Sequence, residues 1–448
     1  MKKKILLCFS FLSVFLVNSI GQQSLSLYAN KCQNFKIGTA VGSNFYNVYD
    51  TGDLYNQTIT TNFNILVAEN EMKYDAMEPQ KGIFSFTKPD KLVAYAQKYG
   101  IQIRGHNLCW HNQLPSWLNA GLTNGTANGT FTRSSLLALL KNHITTIVSR
   151  YKGKIQQWDV VNEPFNDGTG TLRSSIWQQV IGNDYIDSAF VWAHRADPDA
   201  KLYLNEYGIE IYGGTKSNAM YTYVTAMKNR NIPINGVGFQ CHFTVSKIDF
   251  TKLDQNIKRY AAVGLEAIIT ELDIRIAITD YTANPTKWLA SQAEDYRQMI
   301  RTCLNNSNSK TFLTWGFTDK YSWIPSFTTS TGNGPASDYA LIFDTSFNPK
   351  PAYTSILNEL ISESIKSETV NINQDKIIKL ILSKESAEIQ TLNKLCGCQL
   401  FNIQGKCLFN IRINANSVII PLADIQQGIY ILKIQFENGQ LISRKFVI

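Results

Sequence analysis

Charge is scarce in this 448-residue chain, at 17% of residues, and the formal net charge of +8 is unevenly placed. Lys2, Lys3 and Lys4 supply three of the eight. Residues 366–448 supply four more, through ten Lys and Arg against six Asp and Glu, which leaves residues 22–365 near +1. A nearly neutral body of mixed signs offers no electrostatic footprint for nucleic acid or an anionic membrane. Past the N-terminal leader no apolar run approaches the roughly 20 residues needed to span a bilayer, so stable membrane insertion is not expected. Cysteine is sparse too: of eight, seven remain after the leader, an odd number scattered over the chain and no disulfide framework. Cys241, between Gln240 and His242 in what reads as a strand, is expected to point away from both as a small buried hydrophobe. Cys396 and Cys398 lack nearby histidines, and a single bridge in or near the tail stays open. The chain has no glycine-rich phosphate loop and no ligand-spaced Cys/His cluster, and the five-residue spacing of His106 and His111 fits no metal motif. Neither cofactor nor metal is expected.

What the chain does have is a leader, a long alternating body and a different tail. Lys2–Lys4 precede an apolar stretch from Ile5 to Val17, with Ser19 and Gly21 ahead of Gln22, the pattern of a secretory signal covering residues 1–21. Hydrophobic residues at 44% and aromatics at 12% suffice for a packed core. Short β-branched or apolar runs at 35–40, 64–68, 102–106, 157–162, 201–205, 236–241, 267–271 and 311–316 read as strands. Segments of helical period fall at 90–99, 134–152, 174–195, 217–231, 252–263 and 290–304. Eight strands alternating with helices predict an α/β fold, a closed (β/α)8 TIM barrel over residues 22–365.

Polar residues cluster just after these runs: Glu69-Asn70-Glu71-Met72-Lys73, His106 to His111, Asn162-Glu163, Asn205-Glu206-Tyr207, Gln240-Cys241-His242, Glu271-Leu272-Asp273 and Trp315 to Asp319. In such barrels the active site is built at the C-terminal strand ends. Glu163 and Glu271 end strands four and seven. Two carboxyls from different strands facing one cleft are the minimum for cleaving a glycosidic bond; at about 5 Å apart the ionised one attacks the anomeric carbon and configuration is retained. Period-two alternation puts Glu271 and Asp273 on one side, and Gln240 with His242 on strand six, so a His242–Asp273 pair is expected beside Glu271 to hold it ionised. Asn162 is placed to bond a sugar 2-hydroxyl. Taken singly, each residue has a plainer reading: a glutamate at a strand end as an ion-pair partner, Trp110, Trp315 and Trp323 as core aromatics, and Glu69, Glu78, Glu206 and Glu210 as surface or supporting carboxylates. Their joint occurrence favours the site.

The blocks Gly105-His106-Asn107-Leu108-Cys109-Trp110-His111, Trp158 to Glu163, Gln240-Cys241-His242, Thr270-Glu271-Leu272-Asp273 and Trp315 to Trp323 resemble the signatures of glycoside hydrolase family ten, over about residues 35 to 353. The resemblance implies a retaining endo-β-1,4-xylanase acting on xylan or xylo-oligosaccharides, with Glu163 as acid/base and Glu271 as nucleophile. By position it also implies sugar contacts at Glu69, Asn70, Lys73, His106, Trp110, Asn162, Gln240, His242, Trp315 and Trp323, with Tyr207 lining the cleft. The chain departs from the pattern at Asn107 and Cys109, where Thr and Val are usual, and at Glu206 and Gly208, where Asp and Asn are usual. A clan-related β-1,4-glucanase and a non-catalytic polysaccharide-binding protein are the alternatives; the second predicts loss of one glutamate, and both are present. A monomer is expected.

Residues 366–448 change character, with no Trp and one Tyr beyond residue 370. Runs at 377–381, 408–413, 417–421, 429–436 and 441–447 read as strands, and Asn438-Gly439 as a hairpin turn, giving a small all-β, sandwich-like domain. The segments Gly428 to Lys433 and Arg444 to Ile448 resemble the C-terminal sorting domains of type nine secretion. That resemblance implies the secretion machinery as partner and a secreted or cell-surface location. A carbohydrate-binding module is disfavoured by the lack of aromatics for stacking.

Overall fold

The structure, a computed structural model, describes residues 23–33, 35–330, 332, 334–372, 378–382, 386–403, 405–426, 428–439 and 441–447. The secretory leader expected at 1–21 lies outside them. Eight strands, β1 (Lys36–Val41), β2 (Ile65–Ala68), β3 (Gln102–His106), β4 (Gln157–Asn162), β5 (Lys201–Glu206), β6 (Gly236–Phe239), β7 (Glu266–Ala277) and β8 (Thr311–Thr314), lie side by side in chain order. β8 pairs in parallel with both β7 and β1, so the sheet closes into a barrel. β2 and β4 are buried at every residue, as strands enclosed by helices outside and side chains inside must be.

The helices between strands include α1 (Leu54–Asn62), α2 (Thr87–Tyr99), α3 (Arg133–Arg150), α4 (Ile176–Ile181), α5 (Tyr185–Ala196), α6 (Thr215–Asn229), α7 (Phe250–Ala262), α8 (Pro285–Leu304) and α9 (Pro351–Ile372). Local chemistry fixes their ends. Thr132 and Ser135 form a capping box on α3. Asn284 caps α8, whose first residue is Pro285. Four sequence expectations for the barrel need correction. β7 does not end on Glu271 but continues to Ala277, because its extension finds further strand partners beyond the barrel. The helix expected over 174–195 is two, α4 and α5, because Gly182 takes a φ of 97° that no helix accommodates. α1 had no counterpart in the reading, its sequence LYNQTITTN being too polar to show a period; Asp53 caps it and Tyr55 and Ile59 anchor it. β6 stops at Phe239 rather than running on to Cys241, which has a φ of 64° and lies between that strand and the short strand segment His242–Thr244, although it is fully buried as expected.

Inside the barrel, Arg104 is completely enclosed. Its guanidinium pairs with Asp159, donates to Gln157 Oε1 at 2.9 Å and lies 4.7 Å from the centre of the Tyr203 ring. Gln157 Nε2 donates in turn to Thr311 Oγ1. A buried charge stands only when paired and hydrogen-bonded, and this network meets that condition beneath the site.

The tail is a second, antiparallel sheet of β9 (Ile378–Leu382), β10 (Ser386–Asn402), β11 (Cys407–Pro421), β12 (Ile429–Phe436) and β13 (Leu441–Val447). β10 is central and was not foreseen. Its first half pairs with β9, its second half with β12, and β11 runs along its other edge. The runs expected at 408–413 and 417–421 are one strand, β11. Its core comprises Ala387, Ile389, Leu395, Cys398, Leu400 and their partners. Cys396, Cys398 and Cys407, like the other four described cysteines, are not joined in disulfides.

Candidate active site

The C-terminal ends of the barrel strands open into a cleft of about 990 Å³. Glu69, Asn70, Lys73, His106, Trp110, Asn162, Glu163, Tyr207, Gln240, His242, Glu271, Trp315 and Trp323 all line it. Asp273 is the one predicted site residue outside the lining: it is completely buried behind His242 and Trp323.

Glu163 is the first residue past β4. Its φ of 53° turns the chain out of the strand, and its N–H donates to Asn205 O on β5 at 2.9 Å, which holds that turn. A non-glycine residue in the left-handed region is costly and persists where surrounding structure over-determines it. Both carboxylate oxygens are fixed: Trp110 Nε1 donates to Oε2 at 2.8 Å and Gln240 Nε2 to Oε1 at 2.9 Å. Trp110 is itself positioned by Trp177 Nε1, which donates to its carbonyl, and Lys73 Nζ stands 4.9 Å from its ring centre.

Glu271 lies within β7 and is held differently. Asn205 Nδ2 donates to its Oε1 at 2.7 Å, and His242 Nε2 stands 3.4 Å from its Oε2. His242 Nδ1 is 2.8 Å from Asp273 Oδ2, which also accepts from Trp323 Nε1 at 2.9 Å. Burial lowers the His242 pKa, but the charge and hydrogen bond of Asp273, with Glu271, more than reverse it and raise it to about 10. The ring is therefore an imidazolium between two carboxylates. Burial alone would raise the Glu271 carboxyl; the His242 hydrogen bond, the His106 and His242 charges and the Asn205 amide overcome that and hold it below its ordinary value.

The remaining polar residues form a floor. His106 Nδ1 is 3.0 Å from Asp159 Oδ2, and its ring meets Trp315 edge to face at 5.3 Å. Lys73 Nζ donates to Asn70 Oδ1 and Gln113 Oε1. Asn162 Oδ1 accepts from Asn205 Nδ2 at 2.9 Å. Tyr207 donates its hydroxyl to Asp167 Oδ2 at 2.6 Å.

Two groups of residues escaped the sequence reading. Asn205 joins Asn162 to Glu271, and its Oδ1 accepts from Thr270 Oγ1 at 2.7 Å. A polar residue on a buried run, two positions before the expected Tyr207, was the available signal. Glu206 is no surface carboxylate: it is fully buried, accepts from the N–H groups of Phe165 and Tyr207, and pairs with Lys216 Nζ at 2.9 Å. Burial, offset by Lys216 and reinforced by the charge of Glu163, pushes it up to about 8. Glu78 and Glu210 are likewise buried; Glu78 pairs with His143 away from the cleft.

An open cleft across the mouth of a (β/α)8 barrel, with tryptophans in its walls and two separately oriented carboxylates in its floor, defines the class as a carbohydrate-cleaving barrel enzyme. The family model of glycosyl hydrolase family 10 matches residues 25–359, and the chain belongs to that family. It is 39% identical to endo-1,4-beta-xylanase B of Thermotoga neapolitana over 352 residues, spanning 78% of this chain and 95% of that one. The crystal structure of native xylanase 10B from Thermotoga maritima superposes with a TM-score of 0.70 at 38% identity, covering 77% of this chain and 99% of the other. That of xylanase 10B from Thermotoga petrophila, in complex with xylobiose, gives the same score at 38% identity, covering 76% and 98%. Residues 367–448 match a secretion system C-terminal sorting domain, which marks the protein for secretion or surface association. Among the described residues no helix is long and apolar enough to cross a membrane.

Proposed function

We propose that the protein is a secreted endo-β-1,4-xylanase that retains anomeric configuration, with Glu271 as nucleophile and Glu163 as acid/base. The observation that carries the assignment of roles is the difference in electrostatic setting. Glu271 faces the His242 imidazolium, which helps hold its carboxyl below the ordinary value, whereas Glu163 is held by the neutral donors Trp110 Nε1 and Gln240 Nε2. Glu271 attacks the anomeric carbon as Glu163 gives its proton to the departing oxygen, forming a glycosyl-enzyme ester. Glu163, now a carboxylate, takes a proton from water, which attacks the same carbon and releases Glu271. Asn162, whose Nδ2 has no partner among the described residues, supplies a donor for the 2-hydroxyl beside the nucleophile. The share of the relatives covered and their xylanase names support xylan as substrate.

Residues 22–365 form the catalytic unit in this reading, and 366–448 the export unit, which delivers the enzyme across the outer membrane after the leader at 1–21 is removed. Proton NMR of the first product from unbranched xylan tests the reaction: the β-anomer is expected, and an initial α-anomer overturns the mechanism. Glu271→Ala is expected to lower kcat on the order of 10⁴-fold or more. Turnover confined to cellulose overturns the substrate.

A further inference from the structure

β7 does not stop at the nucleophile. It continues to Ala277, six residues past Glu271, and is held above the barrel rim by parallel pairing of Asp273–Arg275 with His242–Thr244 and antiparallel pairing of Ile276 and Ala277 with Asp338 and Ser337. Along this extension Leu272, Ile274 and Ile276 are completely buried, while Glu271 and Arg275 both face the cleft. Four residues of strand put Arg275 about 13 Å further up the wall than Glu271.

The other basic side chains of the cleft are all engaged. Lys73 is bonded to Asn70 and Gln113, His106 to Asp159, and His242 to Asp273. Arg275 has no side-chain partner among the described residues, and it shares the wall with Phe243 and Phe327. A guanidinium fixed on a rigid strand with its fork of donors free is equipped for a planar carboxylate. The unbranched xylan backbone is neutral, and Arg275 stands above the floor where the backbone meets the two glutamates. The anion it fits is carried by a branch.

We propose that Arg275 is a specificity-determining residue that binds the carboxylate of a uronic-acid branch on the xylan backbone. The inference rests on the xylanase reading and names the substrate subclass for the same cleft. Arg275 takes no part in bond cleavage; it contributes to binding of branched chains over bare ones.

The test compares kcat/KM on xylo-oligosaccharides carrying one uronic-acid branch with kcat/KM on the same compounds after methyl esterification, which removes the charge and keeps the sugar. The wild-type enzyme is expected to favour the free acid about tenfold, or 1.4 kcal/mol, mainly through KM, and 0.5 M NaCl to erode that preference. Arg275→Ala is expected to bring the ratio to about one, and Arg275→Lys, which keeps charge without the fork, to leave it between the two. A wild-type ratio of one, or a ratio unchanged in Arg275→Ala, overturns the proposal. So does an equal loss in Arg275→Ala on acid and ester, which marks a donor to neutral hydroxyls. If the wild-type enzyme cleaves no xylo-oligosaccharide at all, the xylanase reading itself falls, and the assignment of Arg275 falls with it.

Discussion

β4 of the barrel is buried at all six of its residues, whereas β12 of the tail alternates between exposed or half-buried and buried positions along all eight. Both are strands, but they store information differently. In the barrel neither face meets water, so specificity of position has only the strand ends in which to appear. That is where Glu163, Tyr207 and Gln240 stand, each just past a strand, while Glu271 faces the same cleft from within β7, which runs on past the rim. In the tail, one face builds a small core and the other faces outward, leaving Ile419 and Leu441 well exposed. The barrel's side chains are also coupled: Asn205 touches Asn162, Thr270 and Glu271 at once. The tail's core residues act mainly through packing. A change in the barrel is therefore expected to reach chemistry, and an equal change in the tail only stability.

The sharpest way to break that contrast, after loss of Glu271 itself, is Asp273→Asn. It leaves the shape of the cleft intact, since Asp273 does not line it. His242 then loses the charge that keeps it protonated, and Glu271 loses the positive neighbour that holds its carboxyl low. The nucleophile must be ionised, so raising its pKa moves the acid limb of the pH–rate profile upward. A shift of about one unit is expected, with roughly tenfold less activity near pH 5 and a smaller loss at neutral pH. A profile that keeps its acid limb while kcat falls uniformly would separate His242 from the ionisation of Glu271.

Gly238→Ala is expected to have a smaller effect, acting at one remove. A Cβ there meets Asn205 Oδ1 at 2.1 Å and Thr270 Cγ2 at 2.8 Å, so Asn205 must move and Glu271 loses its best-placed amide donor. Overpacking of this kind costs about 1–3 kcal/mol of stability, and a kcat several-fold lower with KM little changed is the expected kinetic result. Stability lost with no change in kcat would show that Asn205 is a packing element alone.

These two residues also mark how far the sequence could be read. The barrel was legible because each strand is a continuous apolar run ended by polar residues, and the Glu271–Leu272–Asp273 alternation is enough to place His242 and Asp273 together. Asn205 was not legible: its role depends on three partners 43, 65 and 66 residues away in the chain, and no local pattern encodes that. β10 was missed for a different reason. Its buried positions are Ala387 and Ile389 in the first half but Cys398 and Leu400 in the second, so the period-two signal changes phase midway. Register shifts between Gln390 and Gly397 mark where the phase is lost. A bulge that bends a strand also erases the alternation by which a strand is recognised.

The smallest effect on catalysis is expected from a hole made in the core of the tail. Leu400 is completely buried on β10, paired with Phe409 on one side and Leu432 on the other. Leu400→Ala leaves a cavity that such a short sheet can close only in part, at a cost of about 2–5 kcal/mol. For a small five-stranded sheet that is a large share of the total. The tail is expected to become protease-sensitive and export to fall, while kcat on unbranched xylo-oligosaccharides stays within about twofold of wild type. Limited proteolysis beside a turnover assay reads both quantities on one sample. If turnover falls in step with tail cleavage, the two sheets depend on one another and the contrast between them fails; if only export falls, position-specific chemistry belongs to the barrel and the tail carries the address.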